Sequence, residues 1–96
     1  MSRSTPYKFR LYVAGNTENS ALALANLKAL CRDYLAGHFT IEVVDVFREP
    51  QRGLSDGVLM TPTLIKLTPG PVKKIIGNLS EGLTVLRTLG LEVVAA

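Results

Sequence analysis

Few residues in this chain have the chemistry of a catalyst, and they do not cluster. Cysteine occurs once, as Cys31, and histidine once, as His38. A nucleophilic thiol needs its pKa lowered by a helix N-terminus or a nearby cation. Cys31 lies instead several turns into an apolar helical pattern, where a lone cysteine behaves as a small core residue. Ser20, His38 and Asp45 could form a hydrolytic triad on paper, but nothing in their spacing supports one. No acidic or Cys cluster surrounds His38, so no metal site is expected, and no cofactor. Gly15-Asn16-Thr17-Glu18-Asn19-Ser20 holds no Cys, His or Lys and matches neither the phosphate-loop nor the dinucleotide fingerprint. A weakly bound anion at this helix entry is the alternative to a plain cap. No catalytic residue is therefore expected.

The elements that would carry such residues can still be read. Phe9, Leu11 and Val13 alternate with Lys8, Arg10 and Tyr12, which predicts a strand over 7–14. Gly15 permits a tight turn, and Asn19 or Ser20 can cap the helix that follows. Leu24, Leu27, Cys31 and Tyr34 mark one apolar stripe of a helix over 20–36, ended by Gly37. Phe39, Ile41 and Val43 share a face of a second strand over 39–46, completing a βαβ unit with parallel strands. Pro50 suits the first turn of a short helix. Leu64 to Leu67 and Val72 to Ile76 form a hairpin around Thr68-Pro69-Gly70-Pro71. Asn78 with Glu81 resembles a capping box before a helix bearing Leu83, Leu86 and Leu89.

The totals bound the rest. With 96 residues, 47% of them apolar, the chain forms one domain over 1–96 with one core. No apolar run reaches the ~18 residues of a membrane span, and Met1 to Pro6 lacks the apolar stretch of a signal peptide. A single cysteine forms no internal disulfide and fits a reducing cytoplasm. The formal charge of +3, from 11 basic and 8 acidic residues, is scattered and not interleaved with aromatics, so neither nucleic acid nor a membrane is an expected partner.

One surface signal remains. Closing the hairpin at 68–71 places Lys66 opposite Lys73, an unfavourable like-charge pair that an acidic partner would relieve or that splays into water. Lys74 extends the basic cluster on the other face. After Val46, local preferences also conflict. If residue 90 continues the last helix, Gly90 costs about 1 kcal/mol relative to Ala, while Leu91-Glu92-Val93-Val94 has strand-like composition. Such conflict argues against a single deep minimum.

The order βαβ, short helix, ββ, helix resembles the thioredoxin-like fold, and Met60-Thr61-Pro62-Thr63 resembles the cis-proline position before its third strand. More specifically, Leu11-Tyr12-Val13-Ala14-Gly15-Asn16-Thr17 resembles the KaiB family of circadian clock proteins. Asn19-Ser20, Val44-Asp45-Val46, Glu49-Pro50-Gln51, Thr61-Pro62-Thr63-Leu64, Pro71-Val72, Ile75-Ile76-Gly77 and Leu79-Ser80 follow in order, so the resemblance spans residues 7 to about 86. It implies a non-enzymatic α/β protein that binds the hexameric ATPase KaiC and helps to sequester KaiA. It also implies interconversion between a thioredoxin-like monomer (βαβαββα) and a second arrangement (βαββααβ) that assembles as dimers and tetramers. By that resemblance Arg10, Lys66, Lys73 and Lys74 are partner- or assembly-facing, and Tyr7, Pro62, Pro69, Pro71, Thr88 and Gly90 are fold-switch positions. Departures include Pro69-Gly70-Pro71 where the family usually has three prolines, Thr88 and Gly90 where clock members commonly have Gly and Asp, and no acidic tail before Ala96. These leave room for a paralogue in stress signalling with a different partner. A degenerate thioredoxin-like redox enzyme is the competing class, disfavoured by the missing cysteine. A sensor domain of a histidine kinase is a third, disfavoured by the short chain, which reads as a stand-alone protein.

Overall fold

A computed structural model describes residues 6–91. The elements are β1 (Tyr7–Val13), α1 (Glu18–Leu35), β2 (Phe39–Asp45), α2 (Pro50–Ser55), β3 (Thr63–Thr68), β4 (Lys73–Ile76) and α3 (Gly82–Leu89). This is the expected thioredoxin-like βαβαββα order. The four strands form one sheet in the order β2-β1-β3-β4. β1 runs parallel to β2 and antiparallel to β3, and β3 and β4 form the hairpin. The peptide bonds before Pro62, Pro69 and Pro71 are cis.

β1 alternates as its sequence requires, but both of its faces are used. Phe9, Leu11 and Val13 enter the main core with Ala23, Leu27, Cys31 and Leu35 of α1, Leu64 of β3, and Val85 and Leu89 of α3. Tyr12 points the other way and is buried with Val44 and Ile65 in a smaller cluster. The sheet is thus covered by two helices on one side and by the short α2 on the other. Burying a side chain such as Leu27 stabilises the fold by roughly 1.5–3 kcal/mol.

Several local expectations need correction. α1 starts two residues earlier than the sequence suggested, because Thr17 is its cap and its hydroxyl oxygen accepts from the Ser20 amide at 3.4 Å. Tyr34 is exposed and Leu35 takes the last inward place on α1. Val43 and Leu83 are exposed too; α3 buries Val85, Leu86 and Leu89. Asn78 and Glu81 do not form a capping box. The Asn78 side chain accepts from the Ser80 amide at 3.0 Å, and Glu81 makes no side-chain cap. Lys73, rather than Val72, opens β4.

Gly90 is the most informative correction. It does not continue α3 but ends it, in the left-handed region at φ 78°. Its amide donates to Arg87 O at 3.1 Å, and the Leu91 amide reaches back to Leu86 O at 2.8 Å. These two bonds satisfy carbonyls that the helix end would otherwise leave unpaired. The competing strand over 91–94 lies mostly outside the described residues.

An added methyl meets nothing at Gly90, so the penalty for Gly90→Ala is conformational. Thermal and urea unfolding followed by circular dichroism should show this variant destabilised by roughly 1 kcal/mol in the thioredoxin-like arrangement. Equal or higher stability would mean that residue 90 does not hold the left-handed cap.

Candidate functional site

The loop after β1, where a thioredoxin-like enzyme would hold its nucleophile, is used up structurally. Ser20 is buried, and its hydroxyl oxygen accepts from the Ala14 amide at 3.2 Å and from the Thr17 hydroxyl at 2.8 Å. Asp45 accepts from the amides of Gly15 at 3.2 Å and Phe47 at 2.9 Å, which ties the β1–α1 loop to the end of β2. His38 sits at the opposite end of β2, whose seven residues span roughly 20 Å. The structure therefore brings Ser20 and Asp45 to one end of the sheet and leaves His38 at the other. Cys31 is buried in the main core, and burial pushes its thiol up to about 11, away from the reactive thiolate. Among the described residues no group of three His, Cys, Asp or Glu could hold a metal ion, and no helix is long and apolar enough to cross a membrane.

What the sequence does build is a charge network on the α2 side of the sheet. The Tyr12 ring is buried, so its hydroxyl needs a partner inside the fold. It donates to Asp56 Oδ2 at 2.5 Å and lies 2.9 Å from the Arg52 carbonyl. The same Asp56 oxygen receives Arg10 at 2.9 Å. Arg10 also pairs with Glu42 at 2.9 Å, its neighbour in the parallel β1–β2 register. Arg52 of α2 holds the other Glu42 oxygen at 2.7 Å. Lys74 on β4 completes the set, donating to the Asp56 carbonyl at 2.6 Å. Each charge is answered locally. Arg10 is raised further above its already high value, chiefly by Glu42. Burial, then the Asp56 hydrogen bond, push Tyr12 up to about 12. Glu42 and Asp56 are held below their ordinary values, Glu42 chiefly by Arg10 and Asp56 chiefly by Tyr12.

The basic hairpin differs from its expectation in one respect. Lys66 does pair with Lys73 in register. Lys66 is only 4% exposed, however, with its ammonium 3.4 Å from the Leu89 carbonyl at the end of α3 and 5.7 Å above the Tyr7 ring. It answers the negative end of a helix and an aromatic face, which suits a cation. The two lysines do not form an exposed like-charge pair, and only Lys73 of the two faces solvent.

Sequence reasoning missed an apolar groove beside α2. It has a volume of about 400 Å³ and is walled by Ala14, Val46, Phe47, Leu54, Leu59 and Met60. Four of these are large and exposed, Leu59 at 91% and Phe47 at 74% among them, with Leu54 and Met60 beside them. A contiguous exposed apolar patch marks an interaction surface. The signal was present in the sequence as apolar residues between Phe47 and Met60 that fit no helical stripe. Glu42 could have been paired with Arg10 from the parallel register alone; Asp56, just past a six-residue helix, could not.

The network generates a pH dependence. Glu42 and Asp56 have ordinary values of 4.5 and 3.8 and are lowered on folding. Depressed carboxyls contribute stability that is complete above those ordinary values and lost as pH falls through the lower folded ones. Urea unfolding between pH 7 and 2.5 should show a falling acid limb that becomes shallower in Asp56→Asn with Glu42→Gln. At pH 7, Asp56→Asn alone should cost roughly 1–3 kcal/mol. An acid limb of unchanged slope in the double variant would remove these two carboxyls as its source.

Comparison with known proteins now bears on this geometry. A family model described as KaiB domain matches residues 10–91. The circadian clock oscillator protein KaiB of Rippkaea orientalis is 47% identical over 87 residues, covering 91% of this chain and 82% of the relative. Circadian clock protein KaiB3 of a Synechocystis species is 41% identical over 85 residues, covering 88% of this chain and 81% of the relative. In structure, the N-terminal domain of Synechococcus elongatus SasA matches with a TM-score of 0.75 at 20% identity, covering 100% of this chain and 94% of that one. Mitochondrial thioredoxin 3 from Saccharomyces cerevisiae matches with a TM-score of 0.68 at 20% identity, covering 92% of this chain and 78% of that one. The structural matches establish the thioredoxin-like fold; the sequence matches go further, and on them this chain belongs to the KaiB family of circadian clock proteins.

Proposed function

We propose that this chain is a non-enzymatic regulator that binds a KaiC-like hexameric ATPase and helps to sequester KaiA. The observation that carries this reading is the exposed apolar groove formed by Phe47, Leu54, Leu59 and Met60. It opens beside Ala14, at the end of β1 that leads into a loop without Cys, His or Lys. A redox enzyme would hold a thiolate in that loop. A binding module needs only the apolar surface, with charges around it for orientation. Of the basic positions, Lys73 is exposed to an acidic partner. Arg10 and Lys74 contribute mainly by holding α2 in place, and Lys66 by holding α3.

Binding to the purified ATPase in the presence and absence of ATP tests the proposal directly. Leu59→Asp with Met60→Asp should weaken the complex by at least about tenfold, since central apolar anchors carry most of an interface's energy. Circular dichroism should remain that of the parent. Lys73→Glu should have a smaller effect that shrinks with added salt. Parent-like affinity in the Leu59, Met60 variant would exclude the groove, and absence of any complex with or without ATP would exclude the ATPase.

The proposal includes a second fold for the C-terminal half and assembly of that fold into dimers or tetramers. Its support is the uneven core. Seven of the eleven buried residues in the main cluster come from β1 and α1. The second half supplies four, one of which, Leu79, holds a left-handed backbone at φ 66° that is strained for a leucine. The first half can therefore keep its packing while the second rearranges around Tyr7, Pro62, Pro69, Pro71, Thr88 and Gly90. Mass action makes the assembled fold concentration-dependent. Amide NMR over a concentration series should show a second set of peaks confined to residues after about 46, growing with concentration and enhanced in Gly90→Ala. A single set at every concentration, in both proteins, would rule the switch out.

A further inference from the structure

No side chain of α2 belongs to either described core cluster. Of its six residues only Gly53 is buried, and Leu54 points outward into solvent. Gly53 packs by its backbone; a methyl added there would lie 3.4 Å from Val46 and about 4 Å from Val58 and Tyr12. The helix is fixed instead by polar contacts from three strands. β1 supplies Tyr12 to Asp56 and to the Arg52 carbonyl, and Arg10 to Asp56. β2 supplies Glu42 to Arg52, and β4 supplies Lys74 to the Asp56 carbonyl. Three of these five ties to strands pass through the Asp56 side chain or its own backbone.

We propose that α2 is a charge-latched lid: a separate opening unit, held down through Asp56, that swings off the sheet and leaves the main core intact. Two consequences follow from the contacts alone. Opening exposes only the small cluster on the α2 side and nothing of the main core, so it is cheaper than global unfolding. It also uncovers the Tyr12, Val44 and Ile65 cluster together with Arg10, frees the already exposed Lys74 from its carbonyl, and removes the Gly53–Leu54 wall of the groove. The surface offered to a partner would then be the sheet itself, with the Tyr12, Val44 and Ile65 cluster beside Arg10. The lid is independent of which protein binds, so it can stand or fall apart from the ATPase reading.

Hydrogen exchange of the full chain tests it, with the amides of residues 51–58 compared against Leu11 and Leu27 in the core. In the parent the α2 amides should exchange faster than the core by at least about a hundredfold. Asp56→Asn should speed the α2 amides a further ten- to hundredfold, the range for losing hydrogen bonds to a charged group, while the core amides change much less. Lys74→Met, which leaves the carboxylate in place, should give the same pattern with a smaller increase. If Asp56→Asn fails to fold, the parent itself in rising sodium chloride should show α2 exchange gaining on the core. Equal protection of α2 and core in the parent would overturn the proposal. So would a uniform rise across the chain in Asp56→Asn and Lys74→Met, or an α2-to-core ratio insensitive to both variants and to salt.

Discussion

The hydrogen bond from Tyr12 to Asp56 is the contact on which the α2 side of the molecule depends. β1 is the strand buried on both faces, and Tyr12 is the residue that fills the second face. A phenol buried at that point needs an acceptor, because an unpaired hydroxyl in the interior costs about 1–3 kcal/mol. Asp56 provides it and thereby brings a carboxylate to the sheet. The carboxylate needs a cation, which Arg10 supplies from two residues back on the same strand face. Arg10 leans in turn on Glu42 and Glu42 on Arg52. One aromatic side chain placed inward thus explains why a short helix without an apolar stripe has a defined position.

The opposite side of the sheet works by ordinary packing, and that side was the more legible one in the sequence. The two-residue period of Phe9, Leu11 and Val13 and the helical spacing of Leu27 and Cys31 both report burial directly. The parallel pairing of β1 and β2 then follows from the long helix between them. Tyr12 was read only as an alternating partner, since periodicity cannot tell a solvated face from one covered by a later element. Lys66 failed for a related reason. Register placed it opposite Lys73 correctly, but charge alone suggested an acidic partner or water, whereas the end of α3 and the Tyr7 ring give it an interior environment.

The boundaries were set by chemistry that spacing does not reveal. Thr17 rather than Asn19 or Ser20 caps α1 because Ser20 turns inward to serve the Ala14 amide. Gly90 reads as a flaw in a helix only if the helix is assumed to run on. In the structure it is the stop that lets Leu91 fold back over α3. The groove beside α2 was missed because its apolar residues face outward, where no internal packing rule turns their unplaced run into a site. The family resemblance carried more of the functional reading than any of these local rules, but the surface it implied was the basic positions Arg10, Lys66, Lys73 and Lys74, and not the groove.

The interior position of Lys66 changes how the molecule looks from a distance. The formal charge of +3 and isoelectric point near 9.3 count eleven basic residues alike. One of these, Lys66, is enclosed against a helix end, and Arg10 and Arg52 are matched at contact distance by Glu42 and Asp56. Among the described residues the cations presented outward are Lys8, Lys28, Arg32, Arg48, Lys73, Lys74 and Arg87, spread from β1 to α3. Salt screens the attraction of such exposed charges over a Debye length, about 8 Å in physiological conditions. The far field of this protein is accordingly that of its small net charge of +3, and the paired Arg10 and Arg52 add no strong local field to it. An approaching partner is guided less by long-range attraction than by what it meets on contact.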